Sequence, residues 1–146
     1  MTFRTHPVLA VTCGLALAAA GGLVSSPTDA SPAPRKAVQR LETTLRPSGD
    51  PDGSGEAQFT FNQARRKVCA TVSWQHIQRP DAAHIHRASD GGIVIDLAGS
   101  VTGGSRCATG VSKKKIGKIL AHPGRYYFNV HNPTYPAGAI QGTLHR

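Results

Sequence analysis

The chain has 146 residues, of which 39% are hydrophobic and 5% aromatic, with 17 basic against 8 acidic side chains and a formal net charge of +9. This length suits one domain with one hydrophobic core rather than several domains. The positive charge favours anionic neighbours such as cell-envelope polymers, whereas the scarcity of aromatic side chains argues against a nucleic-acid stacking surface.

Residues 1–30 have the order of a secretory signal peptide. Arg4 lies in the short polar start, an uncharged apolar run follows over 8–24, and small and polar residues lead to Ala30. The apolar run is shorter than the ~20 residues that a membrane-spanning helix needs. We therefore expect cleavage near Ala30, secretion of the protein, and no transmembrane segment in the secreted chain.

The rest of the chain is predicted to be a linker followed by one domain. Residues 31–40 are rich in Pro, Ala and basic side chains, which is typical of a flexible linker, and residues 41–146 are predicted to form a single β domain. Cleavage of the signal peptide would remove Cys13 and leave Cys69 and Cys107. Two cysteines in a secreted chain predict one disulfide.

Short alternating runs separated by turn residues predict an antiparallel β protein. The predicted strands cover residues 38–45, 56–62, 67–74, 82–86, 93–98, 126–131 and 139–144, with loops at 47–55 and 99–106. One helix is predicted over 112–121, because Ser112 is a suitable cap and Ile116, Ile119 and Leu120 recur at helical spacing. This pattern indicates a β-sandwich or barrel of the Greek-key type, immunoglobulin-like or superoxide-dismutase-like, with one short helix.

Three histidines are candidate metal ligands. His84 and His86 are two residues apart in a predicted strand, so their side chains project from the same face. His131 ends a later predicted strand. Both blocks precede turns, so we expect them to meet at one end of the sandwich. Three imidazoles suit copper or zinc and leave a coordination position open.

Other residues near these histidines allow two interpretations. His76, His122 or Asp90 would supply a fourth ligand or accept a hydrogen bond from a ligating imidazole. Alternatively, the histidines join Tyr127 and Asn129, which alternate onto the face of His131. In that case they form a hydrogen-bonded polar cluster that fixes strand ends and holds no metal. The sequence leaves both interpretations open.

Two clusters of basic side chains suggest an anionic ligand. They consist of Arg65, Arg66 and Lys67 at a predicted turn, and of Lys113, Lys114, Lys115 and Lys118 on one face of the predicted helix. Such clusters are suited to an anionic cell-envelope polymer, and they are equally compatible with a solvated surface.

Four sequence blocks resemble one known family. The blocks are DPDGSG at 50–55, AHIH at 83–86, YYFNVH at 126–131 and YPAGAIQG at 135–142. Together they resemble the CHRD, or chordin-type, domain over about residues 41–144. Gln141 stands where the family often has Arg. The resemblance implies an extracellular all-β domain. Animal chordins use such domains in proteins that sequester growth factors, but no matched residue carries that role here.

A second resemblance concerns the histidines. Residues 84–90 have the H-x-H-x-x-x-D form of copper/zinc superoxide dismutases, in which a later Val-His pair supplies a further copper ligand. Val130 and His131 match that pair. The zinc-binding loop of those enzymes has no counterpart over residues 103–120, which argues against a complete dismutase site.

The sequence therefore favours a secreted, non-catalytic binding or structural module with an unknown extracellular partner. A copper or zinc protein is the first alternative, and a binder of anionic envelope polymer is the second. An enzyme is less favoured, because no nucleophile turn of the G-x-S-x-G type and no obvious pair of catalytic carboxylates occurs.

Overall fold

The structure is a computed structural model that describes residues 38–146. The predicted signal peptide and most of the predicted linker lie outside the described residues. Within residues 38–146, none of the helices has the length and apolar character needed to cross a membrane.

The described chain contains eight strands and two helices. The strands are β1 (Gln39–Pro47), β2 (Ser54–Asn62), β3 (Lys67–Gln75), β4 (Ala82–Arg87), β5 (Ile93–Asp96), β6 (Cys107–Ala108), β7 (Tyr126–His131) and β8 (Ile140–Thr143). The helices are α1 (Gly99–Thr102) and α2 (Lys113–Ala121), and a 3₁₀ turn (Pro123–Arg125) follows α2.

All eight strands belong to one antiparallel sheet in the order β5-β4-β7-β8-β1-β2-β3-β6. Strand β1 pairs with β2 over most of its length and with β8 only at Arg46 and Pro47. The sheet bends at this strand, so its two halves face each other in a nearly barrel-shaped arrangement. The predicted antiparallel all-β fold is confirmed.

The core lies between the two halves of the sheet. Phe59 from β2 packs edge-on against Phe128 from β7 with ring centroids 5.0 Å apart, and both side chains are fully buried. Helix α2 contributes Ile116 and Ile119 to this core, and both are fully buried. The backbone N–H of Lys115 donates to Ser112 Oγ at 3.1 Å, so the predicted cap is present.

The predicted disulfide between Cys69 and Cys107 is confirmed. It joins directly opposed positions of β3 and β6. Strand β6 has only two residues, so the covalent link holds an edge that few backbone hydrogen bonds secure.

The structure differs from the sequence prediction at the loop over 99–106. Helix α1 forms a single turn there, directly after Ala98, and Val101 packs into the core. Its capping position, Ala98, provides no side-chain hydrogen bond, so the sequence lacks the usual signal for a helix start.

Candidate metal centre

The three histidines lie on two neighbouring strands. Strands β4 and β7 pair antiparallel, with Ala82 opposite His131, His84 opposite Asn129 and His86 opposite Tyr127. Because side chains alternate along a strand, Ile85, which lies between His84 and His86, points to the other face and is fully buried in the core. The histidines therefore occupy the outer face of the sheet.

This position corrects the expectation that the two histidine blocks meet at one end of the sandwich. Antiparallel neighbours run in opposite directions, so the turns after β4 and β7 begin at opposite ends of this strand pair. The blocks meet across the strands instead, with His131 diagonally adjacent to His84.

The three imidazoles form a compact group. Each offers one ring nitrogen, and these nitrogens all lie within 4.8 Å of one another. Nδ1 of His84 and Nε2 of His131 are 3.2 Å apart, within hydrogen-bond distance. His86 and His131 are buried, and the side chain of His84 keeps 17% of its surface exposed. The group is therefore nearly enclosed, with solvent access on the His84 side.

Two backbone carbonyls determine the tautomers of His86 and His131. Nδ1 of His86 donates to the carbonyl oxygen of Gly91 at 2.9 Å, and Nδ1 of His131 donates to that of Pro136 at 3.0 Å. A carbonyl only accepts, so each neutral ring carries its proton on Nδ1 and has a bare lone pair on Nε2. Among the described residues, Nε2 of His86 is buried without a hydrogen-bond partner.

The segment after β7 and the ring of Tyr127 enclose the group. Asn129 donates through Nδ2 to the carbonyl oxygen of Ala137 at 3.0 Å, while its buried Oδ1 has no partner among the described residues. Tyr127 stacks on His86 with ring centroids 5.0 Å apart. Gly138 lies so close to the Asn129 amide that a Cβ there would be 2.5 Å from Nδ2.

Burial favours the neutral form of two of the imidazoles, those of His84 and His131. Burial lowers the pKa of His84, and the nearby ring of His131 lowers it further, against a smaller opposing effect of Asp96. Burial also lowers the pKa of His131, although its hydrogen bond to Pro136 acts in the opposite direction. Neutral imidazole is the form that binds a metal ion, so the lowered pKa values of His84 and His131 favour metal binding at neutral pH.

The structure does not bring the other candidate ligands into the group. The cluster of potential ligand atoms contains His84, His86 and His131, without His76, His122 or Asp90. Asp90 instead pairs with Arg87 and accepts from the Gly92 backbone N–H.

Three neighbours of the group were not predicted from the sequence. Asp96 of β5 lies opposite His84, with Oδ1 3.9 Å from Nε2 of that ring. Asp96 is the one acidic residue in an otherwise apolar predicted strand, and this could have indicated from the sequence that it has a role. The accepting carbonyls of Gly91 and Pro136 carry no side-chain signal at all.

The basic residues fall into separate environments. Arg66 donates to the carbonyl oxygens of Gly110 and Val111, so it serves the local structure. Arg65 and Lys113 are exposed. The other three helix lysines, Lys114, Lys115 and Lys118, line a groove beside α2.

One family comparison gives a match. A family model described as the CHRD domain matches residues 36–144. No curated protein and no solved structure matches the chain. The chain belongs to the CHRD domain family, and its domain is of the extracellular type.

Proposed function

We propose that this CHRD domain is a secreted metal-binding module that holds one copper(II) or zinc(II) ion with His84, His86 and His131. The observation that carries the proposal is that three ring nitrogens lie within 4.8 Å of one another on the outer face of the sheet, where two of the three histidines are buried. The proposed role is binding, and no chemical step is assigned to the site.

The separations of the nitrogens support this assignment. Two nitrogens that each lie about 2.0–2.1 Å from a tetrahedral ion are about 3.3 Å apart. His84 Nδ1 and His131 Nε2 are separated by 3.2 Å. The nitrogen that His86 offers lies within 4.8 Å of the other two, so a shift of up to about 1.5 Å brings it to the tetrahedral spacing. The Gly91 carbonyl holds the far side of that ring.

The hydrogen bonds of the rings favour a ligand role over a purely structural one. Ligating histidines almost always donate their second ring N–H to a carbonyl or carboxylate, which orients the ring and raises its basicity. His86 and His131 both have this arrangement. If His84 binds through Nδ1, its proton moves to Nε2, on the side of the Asp96 carboxylate.

The ligand set favours particular metals. Three neutral imidazoles without a thiolate suit copper(II) and zinc(II), and the Irving–Williams order places copper(II) above zinc(II) in affinity. Three protein ligands leave a fourth position that a water molecule or a further ligand can occupy.

Calorimetric titration of the metal-free secreted domain tests the proposal. We expect one site per chain, with copper(II) displacing zinc(II). His86→Ala and His131→Ala should each weaken binding by more than the 10–100-fold typical of an outer partner. His122→Ala removes an exposed histidine outside the group and is the matched control. Equal weakening in all three variants would refute the assignment.

A non-catalytic structural or partner-binding module is the second candidate. The direct contact between His84 and His131 favours it, because this hydrogen bond joins β4 to β7 without a metal. On this account no variant changes metal content, and His131→Ala lowers the free energy of unfolding equally with and without added zinc. A metal-dependent stabilisation of the native protein, absent in His131→Ala, would exclude it.

A further inference from the structure

A groove beside helix α2 concentrates positive charge. Five Lys and Arg side chains line it, and we call this surface the basic groove; its residues are Arg87, Lys114, Lys115, Lys118 and Arg125. The groove encloses about 1000 Å³, and no acidic residue of the described chain is among its lining residues. None of the three clustered histidines lines it, so it is separate from the metal centre.

Four of these cations have no acidic partner within the described residues, and three of the four also lack the carbonyl contact that Lys115 makes. Arg87 pairs with Asp90, and the Lys115 ammonium donates to the Val94 carbonyl oxygen at 2.8 Å. Within residues 38–146, Lys114, Lys118 and Arg125 form no ion pair. A cleft lined by charges of one sign focuses the electrostatic potential, so this groove attracts anions more strongly than a flat surface of equal charge.

The spacing of the charges indicates the shape of the ligand. Lys114 and Lys118 lie one helical turn apart, about 6 Å along the axis of α2. Arg125 follows the helix in the 3₁₀ turn, and its carbonyl accepts from the backbone N–H of Ala88 at 2.9 Å. This bond fixes Arg125 beside Arg87, and guanidinium groups match the geometry of phosphate oxygens.

The groove also has an apolar part. Val94 and Tyr126 line it among the cations, and both are more than nine-tenths buried. A ligand with anionic groups about 6 Å apart, joined by short carbon spacers, would contact both the cations and this apolar part. A single inorganic anion would fill only a small part of the volume.

We propose that the basic groove binds a linear phosphodiester polymer laid along helix α2. The phosphates contact Lys114, Lys118 and Arg125, and the carbon spacers contact Val94 and Tyr126. This binding site is independent of metal binding, and its ligand has the chemistry of an anionic envelope polymer.

The probe is a labelled oligomer of glycerol phosphate, titrated with the domain at low salt and followed by fluorescence polarisation. The triple variant Lys114→Gln, Lys118→Gln, Arg125→Gln should bind about tenfold or more weakly. The slope of log affinity against log salt should fall by about two.

A second triple variant controls for net charge. Arg65→Gln, Lys67→Gln, Arg79→Gln also removes three positive charges, all from residues that do not line the groove. The affinity of this variant should stay within about twofold of that of the native protein. Equal weakening in both triple variants would overturn the groove as the binding site. Tighter binding to vesicles of anionic phospholipid than to the oligomer would overturn the polymer and assign the surface to a membrane instead. Unchanged melting temperatures establish that both triples are folded.

Discussion

Replacing Gly138 by Ala tests how the segment after β7 closes over the candidate metal centre. Gly138 has a φ of +133°, and a Cβ there would lie 2.5 Å from Nδ2 and 2.8 Å from Cγ of Asn129. Overpacking of this kind costs about 1–3 kcal/mol, and the strained backbone adds about 1 kcal/mol. We therefore expect a loss of about 2–4 kcal/mol in the free energy of unfolding, measured by urea denaturation.

Gly110→Ala separates the two contributions. Gly110 also has a positive φ, of 72°, but a Cβ there would meet nothing within 4 Å. This variant should lose only the backbone contribution of about 1 kcal/mol. If Gly138→Ala costs no more than Gly110→Ala, the segment does not press on the Asn129 amide, and the account of the enclosure is wrong. Metal binding should weaken in Gly138→Ala alone, because the displaced segment carries the carbonyl of Pro136 that orients His131.

Three further predictions concern the domain as a whole. Phe128→Ala should lower the free energy of unfolding by about 3–5 kcal/mol in urea denaturation, since this ring is fully buried against Phe59; a loss below about 1 kcal/mol would contradict the assigned core. Reducing the disulfide, whose cysteines are 38 positions apart, should cost up to about 4 kcal/mol by loop entropy, and an unchanged urea midpoint under reductant would contradict this. In the metal-free protein, burial lowers the pKa of His84 and His131 below the unfolded value. The stability they contribute is therefore complete above about pH 6.5 and is lost as the pH falls through their folded pKa values. Melting temperatures that rise on acidification from neutral pH would reverse the predicted sign.

Much of the fold was predictable because strands with one buried face have a strict two-residue period. Strand β7 was predicted with the bounds that the structure has, Tyr126–His131. Its alternation places Phe128 and Val130 in the core. Helix α2 was predicted from its cap and its apolar spacing, both of which are local signals.

The elements that were missed lack such local signals. Helix α1 begins without a capping side chain, and β6 has two residues, too few to show alternation. Each is held by long-range contacts, namely the burial of Val101 in the core and the bond between Cys69 and Cys107.

The candidate site was predicted in its residues and not in its geometry. The spacing of His84 and His86 placed them on one face, but the pairing of β4 with β7 depends on the whole sheet order. The carbonyls of Gly91 and Pro136 determine the tautomers, and any residue type presents a backbone carbonyl. The sequence also did not separate the groove-lining lysines from Lys113, because the groove forms between α2 and residues 87–94, which are distant in sequence.

The most direct test of the proposed metal centre is the metal content of the protein as it is exported, without a polyhistidine tag, determined by plasma mass spectrometry. The native protein should carry close to one equivalent of copper or zinc. His84→Ala should carry little, and His122→Ala should match the native protein. Absence of metal from the native protein, both as exported and after reloading with copper(II) and zinc(II), would contradict the metal centre and leave the three histidines as a structural cluster.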